Sequence, residues 1–212
     1  MSDLLYWLDM FGIVVFAFSG ALMAGRYKLD PFGVVVLSAV TAIGGGTMRD
    51  VILQTPVFWV QIPVYLYVIL ATAVLTIIFI RSPKRIAKRF LLVSDAFGLA
   101  LFAVLGTEKA LSLGAAIPVA IVMGMMTGVA GGMLRDVLCN VIPMILRQEI
   151  YATAAILGGA LYTLLRYFSC PEHLAIITAI LGALTLRLAA IYWRVTLPAF
   201  DIIEPEESKK DQ

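Results

Sequence analysis

The chain has 212 residues, of which 61% are hydrophobic and 14% charged, with a net charge of +2 and a mean hydropathy of +0.97. Soluble domains run at about 45–50% apolar and about 25% charged, so this composition excludes an ordinary soluble enzyme and points to a membrane protein. The small net charge, with one short basic run, gives no support for nucleic-acid binding.

A helix that crosses a bilayer needs roughly 20 mostly apolar residues. In chain order, seven segments meet that need: about residues 4–25, 32–53, 61–80, 91–111, 116–139, 147–166 and 173–193. The expected fold is an all-α membrane protein with seven transmembrane helices. The first segment opens with Asp3 and Asp9 and has no positive lead, so it reads as a span and not as a signal peptide. Between the third and fourth lies a basic linker, 81–90, "RSPKRIAKRF", with Arg81, Lys84, Arg85, Lys88 and Arg89. Loops on the cytoplasmic side are rich in Lys and Arg. Setting this linker on the cytoplasmic side places the N-terminus outside, Arg26 and Lys28 inside, and Arg147, Arg194 and the C-terminus in the cytoplasm. Residues 199–212 read as a solvated cytoplasmic tail. Cys139 and Cys170 read as unpaired thiols, and His173 as an interfacial residue. Trp7, Trp59 and Trp193 fall at span ends, as in aromatic belts.

Shifted by 86 residues, the chain aligns with itself without a gap. Between Asp9 and Tyr65, 15 of 57 positions are identical to their counterparts. Asp9 falls on Asp95, Phe16 on Phe102, Gly20 on Gly106, Thr41 on Thr127, Arg49–Asp50–Val51 on Arg135–Asp136–Val137, and Tyr65 on Tyr151. Residues 3–80 and 91–166 are therefore two copies of one three-span unit. Residues 173–194 stand outside the repeat, as a packing or assembly helix. An odd number of spans turns the second copy upside down. Inverted repeats of this kind belong to transport proteins, with the site near the bilayer midplane.

Each copy carries an unusual motif: "GGGTMRD" from Gly44 to Asp50, and "AGGMLRD" from Ala130 to Asp136. Arg49 follows Phe32 by 17 residues, roughly 25 Å along a helix. That sets Arg49 and Asp50 near the outer mouth, and Arg135 and Asp136 near the inner one. Gly44, Gly45, Gly46, Gly131 and Gly132 lie deeper, beside Thr47, Thr127 and Ala130. Glycine costs a helix about 1 kcal/mol relative to alanine. The expectation is a bent, opened backbone lining an ion pathway; the alternative is close packing of small residues. Intramembrane charges cost about 2.5–3.5 kcal/mol each. Arg49 and Asp50 are sequence neighbours and are not expected to face each other, so each needs another partner, such as Asp9, Asp95 or the other copy. Asp9, Asp95 and Ser19 read as pathway or capping residues. Glu108 and Lys109 replace Leu22 and Met23 of the first copy. Lys109 either tunes or blocks the pathway or snorkels to the outer interface. No Ser/His/Asp set, metal-ligand cluster or P-loop occurs, so neither an enzyme nor a cofactor nor a bound metal beyond transient K⁺ or Na⁺ is expected.

The duplicated glycine-rich Arg–Asp motif, the "DPFG" turn at Asp30–Gly33 and "PMILRQEIYATA" from Pro143 resemble the bacterial branch of the trimeric intracellular cation (TRIC) channel family. The resemblance covers about Asp3 to Pro198. It implies a homotrimer in the lipid bilayer, with one pore per protomer between glycine-bent second and fifth spans, conducting K⁺ and Na⁺. The bends would fall at Gly44–Gly46 and Gly131–Gly132. Eukaryotic members carry a Lys–Glu pair in the fourth span, whereas this chain has the reverse order, Glu108–Lys109. Some bacterial relatives are described as glycine transporters, which implies an alternative: a small amino-acid carrier working by alternating access.

Overall fold

The computed structural model describes residues 3–80, 83–147, 150–193 and 195, without the side chains of 83–88. Arg81, Arg194, the side chains of Lys84, Arg85 and Lys88, and the tail 199–212 lie outside the described residues. The described residues form nine helices: α1 (Asp3–Arg26), α2 (Pro31–Ile52), α3 (Phe58–Gln61), α4 (Val64–Phe79), α5 (Pro83–Ser112), α6 (Ile117–Leu138), α7 (Met144–Arg147), α8 (Ile150–Tyr167) and α9 (Glu172–Trp193). By length and composition α1, α2, residues 89–112 of α5, α6 and α9 can cross a membrane. The apolar α4 is shorter, with 16 residues, and α8 has 18. Two differences from the sequence expectation stand out. Residues 83–90 are not a loop but the first turns of α5, where Pro83 suits a helix start. The single-turn helices α3 and α7 interrupt stretches read as turn and span edge.

Local chemistry explains the helix ends. Asp30 caps α2 by accepting from the Gly33 amide at 2.6 Å, and Pro31 follows it in the first turn. At the other end Gln54 takes a positive φ of 53°, and Asn140 after α6 takes 54°. The amides of Thr55 and Val141 each return to the carbonyls of Asp50 and Asp136 at 2.9 Å. These are Schellman closures, which use up carbonyls that the helix end leaves bare. Lys28 and Gly114, also 86 residues apart, close α1 and α5 with positive φ in the same way.

The core forms where α1 packs on α2 and α5, and α6 packs on α5 and α2. Phe16 and Phe102 meet with ring centroids 5.2 Å apart. Each ring fills the place where a side chain on Gly98 or Gly12 would stand. α8 and α9 pack together and against α5.

The central crossing of α2 over α6 explains two of the glycines. A Cβ on Gly45 would overlap the backbone carbonyl of Thr127, and one on Gly131 would overlap that of Thr41. The expected opened backbone is absent: both helices run unbroken through their glycines. The hydroxyls of Thr41 and Thr127 turn back to Leu37 and Met123 of their own helices, each at 2.6 Å. The glycines at this crossing thus serve approach of backbone to backbone, as in small-residue packing between membrane helices.

Gly45→Ala and Gly131→Ala are therefore expected to lower unfolding stability by about 1–3 kcal/mol each, measured by thermal unfolding in detergent. Gly44→Ala, whose Cβ would meet only the tip of the Leu134 side chain, should cost much less. Equal losses at all three positions would contradict the close approach.

Candidate functional site

Two buried charge clusters are built from the Arg–Asp motifs. In the first, Asp50 is fully buried near the end of α2. Its Oδ1 accepts from Arg49 Nε and from Lys109 Nζ of α5, both at 2.7 Å. Its Oδ2 accepts from the Phe58 amide at 3.0 Å, which ties down the start of α3. The Arg49 guanidinium lies over the Phe58 ring, 6.0 Å from its centroid. Phe58 meets Tyr65 edge to face at 4.7 Å, and the Tyr65 hydroxyl donates to Asp9 Oδ2. Trp59 Nε1 donates to the Thr47 hydroxyl at 2.9 Å, and Thr47 donates in turn to the Ile43 carbonyl. Glu108, half-buried, sits in the field of Arg49 and Lys109. Five helices converge on this cluster.

The second cluster repeats the plan. Asp136 Oδ1 accepts from Arg135 Nε at 2.9 Å, with Nη2 at 2.8 Å. Its Oδ2 accepts from the Met144 amide at 3.0 Å and so anchors α7. Phe58 and Met144 are again 86 residues apart. Arg135 Nη1 reaches both Asp95 Oδ1, at 2.9 Å, and the Ser19 hydroxyl, at 2.5 Å. The Tyr151 hydroxyl stands against Asp95, as Tyr65 stands against Asp9. Burying a carboxylate this deeply is tolerated only with charged partners and hydrogen bonds to the remaining lone pairs. Asp50 and Asp136 have both.

The last glycine of each motif makes room for its cluster. A Cβ on Gly46 would meet the Phe58 ring at 2.6 Å, and one on Gly132 would meet Asp95 Oδ1 at 3.0 Å and the Tyr151 hydroxyl at 3.1 Å. Ala130, which replaces the first glycine in the second motif, is buried at 1% exposure.

Several expectations are corrected here. Arg49 and Asp50 do bond each other, as do Arg135 and Asp136. The long arginine side chain folds along the helix surface and presents Nε to the next residue, which the spacing of Cβ atoms alone does not reveal. Asp9 and Asp95 are not caps: both lie well inside α1 and α5 and face neighbouring helices. Arg49, Asp50, Arg135 and Asp136 are all buried. The sequence reading also missed Arg187. This residue of α9 is 1% exposed, with its guanidinium 4.7 Å from the centroid of the Tyr151 ring. A lone arginine inside an apolar 22-residue helix was the available signal.

A family profile described as "Glycine transporter" matches residues 6–81 and again 92–167, two matches separated by the same 86 residues. A UPF0126 membrane protein of Vibrio cholerae is 50% identical over 200 residues, covering 94% of this chain and 84% of that protein. The inner membrane protein YadS of Escherichia coli K12 is 50% identical over 203 residues, covering 95% and 98%. Among solved structures, the TRIC channel orthologue from Rhodobacter sphaeroides superposes with a TM-score of 0.88 at 46% identity, covering 92% of this chain and all of that one. A prokaryotic TRIC channel solved in 0.5 M KCl superposes with a TM-score of 0.86 at 34% identity, covering 93% and 100%.

Removing one member of such a cluster strands the others. Arg135→Ala is expected to cost about 3–5 kcal/mol of stability, because two buried carboxylates lose their shared cation. Lys109→Ala, whose side chain is 30% exposed, should cost no more than about 1 kcal/mol. Unfolding of the two variants in detergent measures the contrast, and equal losses would contradict it.

Proposed function

This chain belongs to the bacterial branch of the TRIC channel family, and we propose that it is a cation channel of the inner membrane, conducting K⁺ and Na⁺. Seven of its helices cross the bilayer: α1, α2 and α4 as one unit, α5, α6 and α8 as its inverted copy, and α9 outside the repeat. Three copies assemble, each with its own pathway along the α2–α6 crossing. The observation that carries this reading is the pair of buried Asp–Arg clusters, one at the C-terminal end of each crossing helix. In the inverted arrangement they stand at opposite ends of one pathway.

The chemistry suits a gate for cations. An ion entering from the α2 end meets Asp50, whose Oδ1 is held by Arg49 and Lys109. Arg49 is buried and fixed, whereas Lys109 is partly exposed and has a flexible stem. Withdrawal of Lys109 frees one carboxylate lone pair for a permeant cation, and its return closes that end. Neighbouring hydroxyls of Thr47 and Ser19, with Tyr65 and Tyr151, offer further oxygen ligands. Glycine is the competing permeant, on the strength of the matched profile's description; a buried arginine beside the crossing could meet its carboxylate.

Recording from the purified protein in planar bilayers tests the reading. Ohmic single-channel currents are expected, with a reversal potential under a KCl gradient that favours K⁺ over Cl⁻. Lys109→Gln should raise the open probability without changing that selectivity. Silent bilayers together with saturable glycine uptake into proteoliposomes would transfer the function to the carrier.

A further inference from the structure

We propose that Arg187 of α9 is the second counter-charge of the Asp95–Asp136 cluster, a positioning residue that holds Asp95 and Tyr151 in place. The seventh helix is then part of the electrostatic machinery and not only a packing element.

The two clusters differ in the source of their cations. The first sets two cations, Arg49 and Lys109, against the buried Asp9 and Asp50, with the half-buried Glu108 beside them. The second contains Asp95 and Asp136 but, among the described residues of the repeated units, only Arg135 as a cation. All three of these side chains are essentially removed from solvent, and one guanidinium against two buried carboxylates leaves a net negative charge. The missing cation has a traceable cause. Lys109 serves the first cluster from the second copy, so symmetry would have the second cluster served from position 23 of the first copy. That position is Met23, which is apolar and buried.

Arg187 stands where the deficit is. Its guanidinium carbon lies over the Tyr151 ring, 4.7 Å from the centroid, and Tyr151 stands against Asp95. Asp95 is the carboxylate whose charge acts on Arg187. The acidic residue of α9 itself, Glu172, begins that helix, 15 positions away, or roughly 22 Å. An arginine this deep in an apolar helix is retained where it pairs or faces a polar interior. The planar guanidinium also explains the residue type, because it can lie flat on an aromatic ring while its edge faces a carboxylate.

The test separates charge balance from packing. Arg187→Gln should lower the thermal midpoint of the detergent-purified protein by about 10 °C. Arg187→Lys, which keeps the charge, should lose less than half of that. Adding Asp95→Asn to Arg187→Gln restores neutrality while its amide oxygen can still accept from Arg135, so the double variant should recover at least half of the loss. An Arg187→Gln protein as stable as the parent would overturn the proposal. So would a double variant no better than Arg187→Gln alone, since the loss would then be one of packing. If Arg187→Gln does not fold, a folded double variant supports the proposal and an unfolded one overturns it. These readouts measure folding, so they stand whether the protein proves to be a channel or a carrier.

Discussion

Asp50 and Asp136 are carboxylates buried among apolar helices, where no bulk water can serve them, so every hydrogen bond they accept must come from the protein. Each is served in the same way: by the arginine just before it in sequence, and by the first amide of a one-turn helix eight residues later. Much else follows from that need. The chain must fold back sharply after α2 and α6 to bring those amides into place, and the left-handed residues Gln54 and Asn140 make the turn. Phe58 must then stand against the helix it has just left, and Gly46 leaves the space for it. The same logic places Gly132 beside Asp95 and Tyr151.

The glycine motif therefore has two jobs, divided by position. The middle glycine of the first motif and its counterpart set how closely α2 and α6 cross. The last glycine of each accommodates the charge cluster. Both jobs depend on a missing Cβ and neither on a broken helix. The pathway reading and the packing reading, which compete when the sequence is read alone, meet in one feature: tight packing at the crossing places a charge cluster beside each of its ends.

The long helices were legible because a bilayer demands long apolar runs, and apart from the early start of α5 their limits in the structure fall close to where hydropathy sets them. The repeat register was legible because charged, glycine and aromatic identities recur at one offset, and the contacts of Phe16 with Gly98 and Phe102 with Gly12 recur at it too. What stayed hidden was what depends on side-chain reach. Neighbouring Arg and Asp point apart at Cβ, yet the arginine's length lets it return. The helix α3 has only four residues, too few for any periodicity. Arg187 lies in α9, outside the repeated units, so no counterpart at the shared offset marks it. Its isolation among apolar residues was itself the clue.

The central claim is that one unit occurs twice in opposite orientations, with one charge cluster facing each side. Gln54 and Asn140 are exposed, equivalent residues just beyond the two clusters. The most direct measurement introduces a cysteine at one or the other, in a chain whose Cys139 and Cys170 are replaced by alanine. A membrane-impermeant thiol reagent is then applied to intact spheroplasts and to inside-out vesicles. The account predicts that Gln54→Cys reacts only in spheroplasts and Asn140→Cys only in inside-out vesicles. Labelling of both from the same side would contradict it.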